Sequence, residues 1–396
     1  MTAFLAEWAN ILLRWAHLVA GIGWIGTSFY FIALDLSLKK RERMNPGVYG
    51  TAWEVHGGGF YHVEKYMVAP AQLPEDLIWY KWEAYLTFLT GFALLTVQYY
   101  FNASAYLIDP DLLPMRPSEA IVISILSLLG GWLAYDRLLC RSPIGRNTPL
   151  LAVAVFALIM LFSYTFTHIY SGRGAFIHVG ALVGTIMAAN VFMVIVPNQR
   201  KITQALLRGE APDPALGAMG KQRSVHNNYL TLPVLLMMVS NHYPILTNHP
   251  QSWILVALIL VVGAMARHFL NRHEAGDPFA KIWWTLPIAA AGLAVALVMT
   301  APAPRATTVD GVAVTDEVVV GIAAKHCVAC HAAKPSHEGF AEAPKGVVLT
   351  DAAKLRQFSA LIEQQAVKSD AMPLGNETGM TAKEREMLGA WIAALK

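Results

Sequence analysis

Long apolar runs dominate the first 300 residues, and short polar segments separate them. A run of about 20 apolar residues predicts a transmembrane helix, because a helix satisfies its own backbone hydrogen bonds within lipid. The first run has no basic segment before it and is too long for a signal peptide. The pattern predicts an all-α, eight-helix transmembrane bundle. The predicted spans are 8–34, 78–101, 118–139, 149–169, 175–197, 228–246, 251–270 and 281–300.

The basic residues are distributed unevenly between the loops. Most of them follow spans one, three, five and seven, whereas the alternate loops hold almost none. Cytoplasmic loops are rich in Lys and Arg, so both termini are predicted on the periplasmic side of a bacterial inner membrane. Tyr99 and Tyr100 end span two and are interpreted as an interfacial belt. The net charge of +3 is spread over loops, so we expect a lipid bilayer and no nucleic acid as partner.

Polar residues recur on one face of span one. Arg14, His17 and Asp35 lie at helical spacing, so this face is predicted to turn into the bundle rather than toward lipid. The histidines fall into two layers. Toward the outside lie His17, His168, His178 and His242, and toward the inside lie His56, His62, His226, His268 and His273. Two inward-facing histidines can ligate a haem, and His17 with His178 is the pair that we suggest for a second, b-type haem. The alternative is that each imidazole bonds a neighbouring carbonyl.

Two segments at predicted cytoplasmic ends have the composition of a ligand site. In the first, Gly57–Gly59 allow a backbone to approach a ligand closely. The second opens span six, where Pro233 is expected to interrupt the ladder of helical hydrogen bonds. The alternative for both is a well-bonded loop cap without a ligand. The candidate catalytic residues of the two segments are His56, His62, Lys65, His226, Asn227 and Asn228.

The C-terminal part carries the most specific motif. Residues 301–316 are rich in Ala, Pro and Thr and predict a linker to a domain over 317–396. Residues 327–331 read C-x-x-C-H, in which Cys327 and Cys330 attach a c-type haem and His331 ligates its iron. Met372 is the expected distal ligand. Met380 precedes a helix cap, and a packing role is expected for it.

The alternative to a haem motif is a zinc or redox C-x-x-C. A zinc site needs a second pair of ligands nearby, and only His326 and His337 are available. The motif, with a predicted helix before it and another at the C-terminus, therefore favours a small class I cytochrome c domain with one covalent haem c.

These segments together resemble the bacterial membrane-bound urate hydroxylases. That family joins an eight-span urate oxidase domain to a C-terminal cytochrome c, and the likeness covers essentially the whole chain. It rests on residues 14–30, 56–66, 77–88, 172–178 and 225–233, with the haem motif and Met372 matching the appended cytochrome.

The resemblance implies oxidation of urate to 5-hydroxyisourate with water as the oxygen source. Electrons would pass to the fused haem, and then to a downstream cytochrome c or a terminal oxidase, without hydrogen peroxide. We expect Lys65 or Arg223 to receive the urate anion, and a histidine at position 56, 62 or 226 to take a proton. Asn227 and Asn228 are expected to bond the purine edges.

This assignment leaves one physical problem. The candidate residues lie at the cytoplasmic end and the haem lies outside, with about 30 Å of hydrocarbon between them. Either a relay cofactor lies between, or urate enters from the outer side near His17. Two other functions stay open: a quinol-oxidising membrane cytochrome without urate chemistry, and a transporter or sensor that uses the haem as a redox gate.

Overall fold

The computed structural model describes residues 2–66, 74, 76–301 and 306–395. Most of the described chain is helical, and its strands form two short hairpins. Two large hydrophobic clusters form the core. One lies among the helices of the first 300 residues, and the other lies among residues 314–392. The domain boundary at 301–316 stays a prediction, and it falls between these clusters. Residues 302–305 of the predicted linker lie outside the described residues.

Helices occupy all eight regions in which spans are predicted. The helices up to residue 301 are α1 (Thr2–Ser37), α2 (Trp82–Leu95), α3 (Ala103–Tyr106), α4 (Pro117–Leu133), α5 (Thr148–Thr167), α6 (Gly172–Ala189), α7 (Val196–Leu207), α8 (Pro214–Val239), α9 (Pro244–Thr247), α10 (Ser252–Glu274), α11 (Phe279–Ile282) and α12 (Thr285–Met299). Wider π-helical turns at Thr96–Tyr100, Ala134–Cys140 and Asn190–Ile195 continue α2, α4 and α6.

Five of the described helical segments are long and apolar enough to cross a membrane. They are Phe4–Ser37, Pro117–Cys140, Thr148–Thr167, Gly172–Leu207 and Ser252–Glu274. α12 is apolar but shorter. The chain is therefore a multi-pass membrane protein, whereas the count of eight spans stays a prediction.

Helix α8 begins earlier than the predicted span six and contains Pro233. It begins at Pro214 because Asp213 caps it, with the Asp213 carboxylate accepting a hydrogen bond from Ala215 N at 2.9 Å. It also continues through Pro233 instead of breaking there. A side chain at Gly263 on α10 would approach Pro233 Cδ to 2.6 Å, so the missing side chain lets α10 pack directly on the proline. Pro233 therefore interrupts only the ladder of backbone hydrogen bonds, because proline has no N–H to donate, and the helix itself continues.

The segment between α1 and α2 forms a hairpin, which corrects the all-α prediction. Strand β1 (Val48–His56) pairs antiparallel with β2 (Gly59–Tyr66). Gly57 and Gly58 form the turn with φ of 58° and 82°, a conformation that glycine adopts at low cost. The glycines of this segment therefore make a turn, and their use for close ligand approach is not needed to explain them.

The C-terminal part folds around its own core. It contains β3 (Thr308–Val309), β4 (Val312–Ala313), α13 (Asp316–His326), α14 (Ala352–Gln357), α15 (Ser359–Ile362) and α16 (Ala382–Ala394). Val319 on α13 and Trp391 on α16 are buried in the same cluster. The capping box predicted at the start of α16 is confirmed: Glu384 N donates to Thr381 Oγ1 at 3.2 Å and Thr381 N donates to Glu384 Oε2 at 2.8 Å.

The C-terminal part rests on one end of the helical bundle. Arg173, at the start of α6, donates to Gln365 Oε1 at 3.1 Å. Gly375 lies against α3, where an added Cβ would be 2.7 Å from the Ser104 carbonyl oxygen. Both contacts flank Met372 in sequence. The end of the bundle that carries α3 and the start of α6 is called the docked end below.

Candidate functional site

A cavity of about 180 Å³ lies between α1, α2, α6 and α8, toward the docked end of the bundle. An engineered cavity of about 150 Å³ binds benzene, so this volume suits a ligand of one or two fused rings. Its polar end is formed by Arg14, His17, Gln98, Tyr99 and Asn241. Trp24, Phe88 and Phe92 are among its apolar lining. Such a mixture of aromatic walls and a few polar groups is typical of small-molecule sites.

His17 presents one ring nitrogen with a free lone pair. Its Nδ1 lies 3.0 Å from the Thr87 carbonyl oxygen on α2 and 3.2 Å from Thr90 Oγ1. A carbonyl oxygen can only accept, so Nδ1 carries the hydrogen and Nε2 is left as an acceptor. The close approach depends on Gly91, where an added Cβ would lie 2.7 Å from His17 Cε1. The histidine is thus oriented as a proton acceptor.

Arg14 supplies a positive charge at the polar end of the cavity. Its Nε donates to Asn10 Oδ1 at 2.6 Å, and its Nη2 donates to Gln98 Oε1 at 2.7 Å. Within the described ranges no carboxylate forms an ion pair with it. Its charge is therefore available to an anion. The polar face predicted for α1 does turn into the bundle.

Sequence reasoning missed most of the residues that α2 and α8 bring to this cavity. Tyr99 and Tyr100 are not an interfacial belt, because both are buried. Tyr99 donates to Asn241 Oδ1 at 2.5 Å, across 142 residues of sequence. The one local signal was Gln98, a polar residue inside an apolar span.

The predicted substrate residues of span six lie elsewhere, at the end of the bundle opposite the docked end. His226 Nδ1 lies 2.6 Å from the Tyr135 hydroxyl. Asn227 accepts from Asn190 Nδ2 at 2.9 Å and donates to the Met187 carbonyl at 2.9 Å. These side chains belong to a buried polar network between α4, α6 and α8.

Asn228 faces a different neighbour from Asn227. Its Oδ1 accepts from Asn271 Nδ2 on α10 at 2.8 Å, and Arg267 donates to Asn271 Oδ1 at 2.7 Å. Consecutive helical residues are about 100° apart, so the paired amides join α8 to two different helices. They do not form one surface for a purine edge.

The other predicted substrate residues lie on the hairpin. His56 and His62 are exposed, and the His62 ring packs on Trp53 with 4.5 Å between centroids. Lys65 forms an ion pair with Asp35 at the end of α1. In the part of the chain that the structure describes, no hydrogen bond or ion pair joins either hairpin histidine to His226, Asn227 or Asn228. The structure therefore does not bring the six predicted residues together.

His17 and His178, the pair suggested for a b-type haem, do not line the same cavity. His178 is fully buried and does not line the cavity. Its Nδ1 lies 2.7 Å from the Gly174 carbonyl and its Nε2 lies 2.7 Å from Ser124 Oγ. Both ring nitrogens are thus used within the bundle, and this arrangement leaves none to ligate the iron of the suggested b-type haem. The alternative that the imidazole bonds its neighbours describes His178 correctly.

The C-x-x-C-H segment has the donor set that a c-type haem needs. His331 Nδ1 lies 2.9 Å from the Val347 carbonyl oxygen, which leaves Nε2 free for a metal. Cys327 and Cys330 are not joined in a disulfide. Met372 packs at the edge of the C-terminal core, whereas Met380 is buried within it, in agreement with its expected packing role. The residues present fit a covalently attached haem.

The two alternatives for these cysteines fit less well. Burial raises the pKa of the Cys327 thiol to about 11, whereas redox-active C-x-x-C thiols have lowered pKa values. Over the described ranges no group of three or more His, Cys, Asp or Glu residues is arranged to hold a metal ion. A zinc site and a thiol redox centre are both disfavoured by these features.

Comparison with known proteins gives one match. The family model described as urate oxidase N-terminal matches residues 3–301. The match contains α1 to α12, the cavity and the buried polar network, and it ends before the C-x-x-C-H segment. No curated protein and no solved structure matches the chain.

Proposed function

Because the chain belongs to the urate oxidase N-terminal family, we propose that it oxidises urate to 5-hydroxyisourate and passes the electrons to a c-type haem on its C-terminal part. Family membership indicates an oxidoreductase with urate-related chemistry. The cavity is the observation that carries the finer proposal. Its polar end is directed toward the docked end, on which the C-x-x-C-H part rests, so substrate and electron acceptor would lie on the same side of the bundle.

The cavity suits the urate anion in shape and charge. Urate is a planar fused bicycle, and aromatic side chains such as Trp24 and Phe88 offer it flat apolar surfaces. Arg14 provides the positive charge for the anion. The amides of Gln98 and Asn241 lie at the same polar end and can bond the carbonyl and N–H groups of a purine.

The reaction balances with water as the source of oxygen. One urate monoanion and one water give neutral 5-hydroxyisourate, two electrons and one proton. A C–O bond forms at C5 of the purine, so the attacking water must lose one proton and leaves its oxygen as a hydroxyl group. His17 Nε2 is the acceptor in the cavity that we assign to this step, because Nδ1 is held by the Thr87 carbonyl. This location removes the problem of electron transfer across the whole membrane, and the proposal uses no second haem.

The haem would be held by the C-terminal part alone. Cys327 and Cys330 would form the thioethers, and His331 and Met372 would be the axial ligands. A c-type haem accepts one electron at a time. Tyr106, on α3 at the docked end, packs edge-to-face against Tyr99 at the cavity, with 6.1 Å between the ring centroids. The final acceptor that we propose is a downstream cytochrome c or a terminal oxidase, with both termini on the periplasmic side of the inner membrane.

An anaerobic visible spectrum of the detergent-solubilised protein tests the proposal. We expect added urate to raise the α-band of the haem, and xanthine, a purine of similar shape, to leave it unchanged. A haem that dithionite reduces and urate does not would contradict the proposal.

A quinol-oxidising cytochrome is the second candidate, because most of the cavity lining is apolar. The same spectrum distinguishes the two functions. If a short-chain ubiquinol raises the α-band and urate does not, the quinol function replaces the urate function. If both donors act, competition between them in the initial rate of haem reduction shows whether they share the cavity.

The contact between Gly91 and His17 gives a prediction for the substrate site. We expect Gly91→Ala to lower the rate of urate-dependent haem reduction by roughly tenfold or more, because the added methyl group displaces the His17 ring. Gly26→Ala on α1 is the matched control, since nothing lies within 4 Å of its added Cβ. Equal rates in the two variants would contradict the role of this contact.

A further inference from the structure

The buried polar network between α4, α6 and α8 adjoins the cavity at the end opposite the docked end. Met187 lines the cavity, and its carbonyl accepts a hydrogen bond from Asn227. Asn190 follows Met187 by one helical turn and donates to both Asn227 Oδ1 and the Tyr135 hydroxyl, at 2.9 and 3.1 Å. The network therefore begins where the cavity ends, and it continues away from the docked end.

Beyond Tyr135 the network carries excess positive charge. Arg223 donates to Asp136 Oδ1 at 2.8 Å, and Arg141 and Arg137 contact the other carboxylate oxygen at 2.8 and 3.4 Å. Only 2% of Arg223 and none of Asp136 is exposed, whereas Arg137 and Arg141 reach the surface. Three guanidinium groups thus surround one carboxylate, and two of the three reach the surface.

Arg223 has donors without acceptors. Among the residues that the structure describes, its buried Nε and Nη1 atoms have no hydrogen-bond partner. Buried polar groups are normally satisfied, and an unpaired charged donor is costly. A negatively charged ligand rich in acceptor atoms would satisfy these donors. Urate, with three carbonyl oxygens and a negative charge, has this chemistry.

The C-terminal part covers some of the docked end of the bundle. It rests there on α3 and on the start of α6, through Gly375 and Arg173. The basic loops, which the charge distribution predicts to be cytoplasmic, lie at the opposite end, where Arg223 is found.

We propose that Arg223, with Asn190 and Tyr135, forms an inner subsite through which the urate anion enters the cavity from the cytoplasmic side. This inference rests on the proposed function. It separates the side from which the substrate enters from the side on which the electrons leave.

Sided membrane vesicles test the entry route with the unaltered full-length protein. We expect urate added to inverted vesicles, which expose the cytoplasmic face, to reduce the haem roughly tenfold faster than urate added to right-side-out vesicles. Protease access to the C-terminal part verifies the orientation of each preparation. Faster reduction in right-side-out vesicles, or equal rates, would overturn the inner subsite while leaving the urate function intact. Absence of reduction in both preparations and in detergent would instead overturn the proposed function.

A charge-removing variant tests Arg223 itself. We expect Arg223→Gln to raise the half-saturating urate concentration in inverted vesicles by roughly tenfold or more, because a charged donor is lost. Arg208→Gln is the matched control, since this arginine lies on the same predicted side, is exposed and forms its ion pair with the exposed Glu210. An unchanged half-saturating concentration in Arg223→Gln would overturn the proposal. If the variant does not assemble, the comparison of vesicle orientations decides.

Discussion

We expect His17→Gln to lower the rate of urate-dependent haem reduction by roughly a hundredfold or more, which is the usual contribution of a positioned general base. The glutamine preserves a polar side chain of similar size but cannot take a proton from water. The measurement is the initial rise of the haem α-band after urate is added to anaerobic protein. Dithionite should reduce the haem of the variant fully, since the C-terminal part is unaltered.

His168→Gln is the control for this variant. His168 also belongs to the outer histidine layer, but it is exposed and bonds the Tyr164 carbonyl of its own helix at 2.7 Å. We expect it to keep the wild-type rate. If His17→Gln and His168→Gln both retain that rate, His17 is not the base, and the inner candidate His226 becomes the next residue to test.

The polar face of α1 shows what a single sequence can predict about this site. Arg14 and His17 lie one turn apart in an apolar span, and this spacing alone directs them into the bundle. Their partners could not be predicted in the same way. Thr87, Gln98 and Asn241 reach the cavity from α2 and from the end of α8, and only tertiary packing brings these helices against α1.

Helical geometry alone could have predicted that the two adjacent asparagines do not form one site. Asn227 and Asn228 look like one ligand site because they are adjacent in sequence. Their side chains diverge around the helix, and each bonds a different neighbouring helix. The glycines of the hairpin have two possible explanations in the sequence, close approach to a ligand and a turn with positive φ. The structure shows that the turn is the correct one for Gly57 and Gly58.

The partners of His178 could not be predicted from its local sequence. A histidine in a span is a reasonable candidate for a ligand, and nothing in its local sequence predicts that Ser124, 54 residues away, will occupy Nε2. The C-x-x-C-H motif is the opposite case, because its five residues contain the whole chemical requirement. Its local fold adds only the Val347 carbonyl that orients His331.

The double variant Cys327→Ala, Cys330→Ala should lose all covalently attached haem. Both thioethers are removed, and the remaining axial ligands do not hold the group through denaturation. Haem-stained denaturing gels and the pyridine haemochrome spectrum measure the loss directly. We also expect urate to produce no c-type α-band in this variant, although the bundle with its cavity contains neither cysteine.

Cys140→Ala is the matched control, because Cys140 is the remaining cysteine of the sequence and lies at the end of the π-helical continuation of α4. We expect it to retain covalent haem and urate-dependent reduction. Covalent haem in the double variant would contradict the assignment of Cys327 and Cys330. Loss of the haem together with continued urate oxidation, measured by the decline of urate absorbance with an added electron acceptor, would place the chemistry in the bundle and the electron exit in the C-terminal part. That result would show that urate oxidation and electron transfer to the haem depend on different parts of the chain.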